Sequence, residues 1–165
     1  MNIHSNISKF AFILGKWSGK GEGIYPTIQS FKYTEEMEFT TNGKPFIAYQ
    51  QKTWNDQGSP LHCESGYLRF PPNGSIEWVI SEPTGVTEIY EGRVENSDNG
   101  DTIKICFKLT NIQRTPTAKA PHTTNVHRNL VYNSKNNTLS YYLDMATEKT
   151  VELTRHLEAH FEKKN

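Results

Sequence analysis

The sequence predicts an all-β fold: a ten-stranded antiparallel up-and-down β-barrel with a short N-terminal helix, in one domain spanning residues 1–165. Three observations lead there. Ten strand-like runs alternate with turn signals along the whole chain. No crossover helix separates any two of them, so successive strands form an antiparallel meander. Ten strands also exceed what a twisted open sheet holds comfortably, and closing the sheet removes both exposed edges. Such a barrel is expected to enclose a cavity rather than a filled core.

Each element has a local reason. A short amphipathic helix opens the chain, capped by Ser5 or Asn6, with Ile7, Phe10 and Leu14 at helical spacing. The glycine-rich stretch "GKWSGKGEGIYPT" follows from Gly15. It shows neither GxGxxG nor P-loop spacing, which excludes a phosphate loop. Period two puts Gly15, Trp17, Gly19, Gly21, Gly23 and Tyr25 on one face of a strand, and Lys16, Ser18, Lys20 and Glu22 on the solvent face. Glycine in a strand marks a bend, a bulge or the close approach of another group. Here it makes room inside the barrel or lets the first strand bend round it. Both readings imply space for a ligand. Pro26 then ends the pairing, and Thr27 offers a hydroxyl near the same rim.

Next, "SFKYTEEMEF" sets Phe31, Tyr33, Met37 and Phe39 on one face. "NGKP" turns the chain into "FIAYQQKTW", Asn-Gly being a strong hairpin signal. "NDQGSP" leads to "LHCESGYLRF", and "PPNG" to "SIEWVIS" with Ile76, Trp78 and Ile80 in phase. "EPTG" precedes "VTEIYEGRVE"; "SDNGD" precedes "TIKICFKLT" with Ile103, Ile105, Phe107 and Leu109 in phase. "RTPTAKAPHTT", residues 114–124, is the one long loop. It reads as a surface connection, or as a lid over the barrel mouth with Lys119 meeting an anionic group. "TNVHRNLVY", "NTLSYYLDMA" and "TVELTRHLEAHFEK" complete the barrel, whose core spans residues 10–162.

Composition removes several function classes. Lys+Arg and Asp+Glu are equal at 18 each, which gives no electrostatic case for nucleic acid or an acidic membrane. The N-terminal segment lacks a basic region followed by a long apolar core, so no signal peptide is expected, and "FAFIL" is too short to span a bilayer. Cys63 and Cys106 form no CxxC pair and read as reduced thiols, which places the chain in the cytoplasm. Oligomeric state is not readable.

Six histidines are present: His4, His62, His122, His127, His156 and His160. No HExxH, zinc spacing or GxSxG elbow accompanies them. On a strand, His156 and His160 share a face about 13 Å apart, too far for one ion. One histidine at a barrel mouth still suffices as an axial ligand to haem iron, because the porphyrin supplies the other four ligands.

Taken together, "GKWSGKGEGIYPTIQSF", "GKPFIAY", "LHCESGYLR", "PTGVTEIYEG", "RTPTAKAPH", "DMA" and "HLEAHF", in that order, resemble the nitrobindin family of small haem-binding β-barrels. Gly15, Trp17, Gly19 and Gly21 fit its GxWxGxG signature, and the similarity runs from Phe12 to Phe161. The resemblance implies a barrel similar in outline to lipocalins and fatty-acid-binding proteins, carrying ferric haem b in its mouth. It implies His156, in "RHLEAHF", as the axial iron ligand, and Thr27 and Lys119 as haem contacts. Leu61, His62 and Met145 would lie on the distal side. It further implies binding of nitric oxide and isomerisation of peroxynitrite to nitrate, with the iron as the reactive centre.

Strand phase opposes one part of this. By alternation Val151, Leu153, Leu157, Ala159 and Phe161 form the apolar face of the last strand, and His156 falls on the polar face with Glu158 and His160. A bulge near Arg155, or the N-terminal helix covering an outer apolar face, would bring His156 inward. The first alternative function is a lipocalin-like carrier of an apolar molecule. It needs a basic clamp inside the barrel, and of Arg69, Arg93 and Arg128 only Arg128 shares phase with apolar neighbours, Val126 and Leu130. The second is an interaction domain without a small ligand, which requires a filled barrel.

Overall fold

The computed structural model describes residues 3–96 and 100–164. A 3₁₀ helix over Ser5–Ile13 leads into β1 (Gly15–Gly23), β2 (Phe31–Thr40), β3 (Phe46–Trp54), β4 (Pro60–Arg69) and β5 (Ile76–Glu82). There follow β6 (Val86–Asn96), β7 (Thr102–Arg114), β8 (Thr123–Asn133), β9 (Thr138–Thr147) and β10 (Thr154–Lys164). Consecutive strands pair antiparallel, and β1 pairs with β10 as well as β2, so these ten strands close into a barrel. The turn at "SDNGD" lies largely at residues 97–99, outside the described residues.

The helix differs from its expected form. Its buried residues are Ile7, Phe10 and Ile13, a three-residue repeat that lies along one edge of a 3₁₀ helix, so Ile13 replaces Leu14 in the packed face. His4 is the cap: its Nδ1 accepts from the Asn6 N–H at 3.2 Å. The helix closes one end of the barrel. Phe10 packs on Phe70 with ring centroids 4.6 Å apart, and Trp17 Nε1 donates to the Ile13 carbonyl at 2.7 Å.

Above the helix the inward positions are filled. Trp17, Met37, Phe39, Trp78, Phe107 and Phe161 are all buried. Full burial of such side chains is worth about 1.5–3 kcal/mol each. The expectation of a hollow barrel is therefore corrected: this half is a packed core. The glycines of β1 show why. A Cβ on Gly21 would lie 2.3 Å from the Tyr33 ring, and one on Gly23 would lie 2.2 Å from the Phe31 ring. Both rings come from β2. On Gly19 it would lie 1.9 Å from the His160 carbonyl oxygen of β10. The missing side chains make room for neighbouring protein, not for a guest.

The phase conflict in the last strand resolves at a bulge. Arg155 pairs with Asp144 and Leu157 with Leu143, so His156 is the extra residue of β10. Beyond it, Ala159 and Phe161 are buried, whereas His160 is exposed and bonded to Ser140 and Glu158. His156 and His160 therefore do not share a face, contrary to simple alternation. Val151 and Leu153 precede the strand and are exposed.

Candidate functional site

The end opposite the helix is open. It is built from the turns β1–β2, β3–β4, β5–β6, β7–β8 and β9–β10, because antiparallel pairing brings alternate turns to one end. A cavity of 380 Å³ opens there. Phe31, Leu61, Val126, Leu143, Met145 and Leu157 supply its apolar walls. His62, at the start of β4, and His156, at the bulge of β10, also line it.

The His156 ring is held from its own side of the barrel. Its Nδ1–H donates to the Ile24 carbonyl at 3.1 Å, while the Ile24 N–H donates to the His156 carbonyl at 2.8 Å. The Tyr25 ring stands edge-on to the imidazole at 5.2 Å, and its hydroxyl donates to the Met145 carbonyl at 3.0 Å. Burial pushes the imidazole below the ordinary histidine range, although the bond to Ile24 opposes this. The ring is thus neutral near pH 7, and with Nδ1 protonated its lone pair is on Nε2.

The cavity floor is ionised. Arg128, from β8, makes five hydrogen bonds: to Tyr90, to Tyr141, to Glu88 and two to Glu64. Its side chain and those of Glu64 and Glu88 are almost fully buried. Burial would lower the guanidinium's affinity for its proton, but Glu64 outweighs it and the group stays charged. Burial would likewise raise Glu64; Arg128 and His62 instead hold it at about 2. Glu82 lies at the edge of this floor and is raised by burial and by the neighbouring carboxylates. Deeper on β2, Glu35 accepts from Gln51 Nε2 at 2.8 Å, and burial pushes it up to about 8.

The structure brings Leu61, His62, Met145 and His156 around one cavity. Thr27 and Lys119 are exposed on the β1–β2 and β7–β8 connections and do not line it. The β7–β8 loop is tied to the β9–β10 turn: His122 N–H donates to Glu148 at 3.1 Å, and Glu148 N–H donates to the His122 carbonyl at 3.0 Å. Sequence reasoning missed Glu35, Gln51, Glu64, Glu82 and Glu88. Their signal was their phase, since each sits two residues from a residue of the inward face. Arg128 is inside, as a carrier's clamp would be, but Glu64, Glu88, Tyr90 and Tyr141 occupy its donors, so its guanidinium has none free for a ligand carboxylate. Cys63 is exposed and Cys106 buried, both as free thiols. No helix among the described residues is long and apolar enough to cross a membrane.

Comparison with known proteins identifies relatives of this chain. A peroxynitrite isomerase of Rhodococcus jostii is 40% identical over 159 residues, covering 96% of this chain and 82% of that protein. One from Arabidopsis thaliana is 52% identical over 91 residues, 54% of this chain and 55% of that protein, so that alignment spans about half of each. The crystal structure of Rv2717c from M. tuberculosis superposes with a TM-score of 0.89 at 36% identity, covering 99% of this chain and 100% of that one. The family described as THAP4-like, heme-binding β-barrel domain matches residues 6–163. The chain belongs to that haem-binding β-barrel family, to which the nitrobindins that its motifs resemble also belong.

Proposed function

We propose that this chain holds haem b in the mouth cavity, with His156 as the axial ligand of ferric iron, and isomerises peroxynitrite to nitrate. Nitric oxide is a second ligand of the same pocket in this reading. The observation that carries it is the bulge at His156, which puts a neutral imidazole among the apolar walls of the cavity with Nδ1–H fixed by Ile24. A histidine that ligates a metal through one nitrogen and donates the other N–H to a carbonyl is the usual arrangement for such a ligand. The family and the relatives named peroxynitrite isomerase support the activity. The two free thiols suit the cytoplasm.

When bound, ferric haem supplies a Lewis-acidic iron for an anionic oxygen ligand. The chain's residues do the rest. Tyr25 and Ile24 hold the His156 ring in one orientation. Leu61 and Met145 would give the ligand side of the bound group an apolar lining. Thr27 and Lys119 serve the haem edge from the rim, with the ammonium as a point charge for a propionate.

Titration with ferric haem, followed at the Soret band, tests this in wild type and His156→Ala. The wild type takes up one haem per chain, and the variant binds about a hundredfold more weakly or worse. Equal uptake would remove His156 from the role. Haem-loaded wild type then shortens peroxynitrite decay and raises the nitrate yield; decay at the buffer rate would leave only a nitric oxide binder.

A further inference from the structure

Glu64 has no acceptor position to spare. Its Oε1 accepts from the Tyr49 hydroxyl at 2.8 Å and from Arg128 Nη1 at 2.5 Å. Its Oε2 accepts from Arg128 Nη2 at 3.2 Å and meets His62 Nε2 at 3.3 Å. An ionised carboxylate offers about four acceptor positions and no proton. The contact with His62 therefore requires the hydrogen to be on Nε2. That fixes the tautomer and leaves Nδ1 as the ring nitrogen with no hydrogen-bond partner among the described residues.

Glu64 cannot turn away to release this constraint. Arg128 spends all five of its N–H donors on Glu64, Glu88, Tyr90 and Tyr141, and so locks the carboxylate from below. The arrangement follows the general logic of a base oriented by a third group: a fixed carboxylate sets which nitrogen carries the proton and where the other one is presented. His62 lines the cavity with His156, and Nδ1 is the ring nitrogen that Glu64 leaves available to a ligand there.

We propose that Glu64, clamped by Arg128, is a positioning residue that holds His62 as the Nε2–H tautomer, so that Nδ1 serves the cavity and its protonated form gives a hydrogen bond to an anionic oxygen or fluoride ligand. The tautomer stands by itself; the ligand step rests on the haem reading above. The charged groups facing His62 are Glu64 on its own strand, Glu82 on β5 and Arg128 on β8, with His156 on β10 lining the same cavity. Burial alone would lower His62, but the bond to Glu64 and its charge outweigh burial and raise it. A charge-assisted hydrogen bond of this kind favours anions over neutral diatomics. Although ligand atoms of His62, Glu64 and Glu82 lie within 4.8 Å of one another, the acceptors of Glu64 are already filled, which argues against a cation there.

Nitrogen-15 NMR of the apoprotein reads the tautomer directly. The wild type shows Nε2 protonated and Nδ1 bare at high pH; Glu64→Gln shows a mixture of both forms. Glu88→Gln also removes a negative charge bonded to Arg128 but leaves His62's partner in place, so it keeps the wild-type tautomer. Identical tautomers in wild type and Glu64→Gln overturn the proposal, and so does an equal disturbance by Glu88→Gln, which would mark a general loosening of the floor. In the haem-loaded protein, fluoride binding to ferric iron weakens about tenfold in His62→Leu, while nitric oxide affinity changes by less than about twofold. Equal weakening of both ligands overturns the anion preference. Failure to take up haem removes the pocket's assignment and leaves the apoprotein result to decide the tautomer.

Discussion

The two halves of this barrel are made from the same ten strands, yet their interiors obey different rules. On β8 the inward residue passes from Leu130 near the helix, through Arg128, to Val126 at the mouth. On β6 the series is Tyr90, Glu88, Val86. The closed half is packed with aromatic and aliphatic side chains, as dense interiors are. The middle layer is ionised, and the mouth is apolar again but hollow. Closing the mouth would strip the remaining solvent from His62 and Glu82, and a charge tolerates burial only when fully paired. An open mouth therefore suits the ionised layer beneath it, because solvent still reaches His62 and Glu82.

Substitution one step apart on β8 should expose that difference most strongly. Arg128→Met leaves Glu64 and Glu88 buried without their cation and is expected to cost about 3–5 kcal/mol in urea unfolding at pH 7. Leu130→Ala, in the packed half, costs about 2–5 kcal/mol by leaving a cavity. The sizes overlap, so pH separates them. The loss in Arg128→Met shrinks as pH falls, because Glu64, no longer held low by the guanidinium, can protonate; the loss in Leu130→Ala is flat. A flat response in both variants would mean that the floor is merely more core.

Glu35 gives a smaller effect with a definite sign. Its folded carboxyl is raised to about 8 by burial, from an ordinary value of 4.5. Below the lower value both states are protonated, and above the higher one both are ionised. Between them the folded chain binds more protons than the unfolded chain, so stability falls as pH rises. The slope reaches about 1.4 kcal/mol per pH unit. Glu35→Gln should flatten the profile across this window and be more stable than wild type at its alkaline end. An unchanged profile would show that Glu35 is already ionised and paired in the fold.

The barrel itself was legible in the sequence because turn signals and period-two alternation are local. What the interior contained was less so. Alternation says which residues of one strand share a face, but not what the neighbouring strand sends across that face. Hence the β1 glycines read as space for a guest, whereas Phe31 and Tyr33 occupy the room. Nor does alternation predict an in-phase acid such as Glu35 between Tyr33 and Met37, because a lone buried charge is costly and its partner, Gln51, comes from the neighbouring strand β3. His156 was legible only as a conflict between motif and phase, and the bulge that reconciles them depends on pairing with β9.

The glycines also supply the finest test of the two halves, since they run along β1 from one to the other. At Gly19 an added methyl meets the His160 carbonyl oxygen, a backbone atom of the β1–β10 ladder. Nothing there can yield without opening the ladder, so Gly19→Ala belongs at the upper end of the range of about 1–3 kcal/mol for overpacking. At Gly21 it meets the far end of the Tyr33 ring, and at Gly23 the far end of the Phe31 ring. Those rings can swing, and Phe31 can swing into the open mouth because it already lines the cavity. The stability loss should therefore fall in the order Gly19, Gly21, Gly23. Gly23→Ala should be almost neutral to unfolding while weakening haem uptake, because the displaced ring takes space from the pocket. If Gly23→Ala instead costs as much as Gly19→Ala and leaves haem uptake unchanged, the packed half extends further up the barrel than the cavity geometry allows.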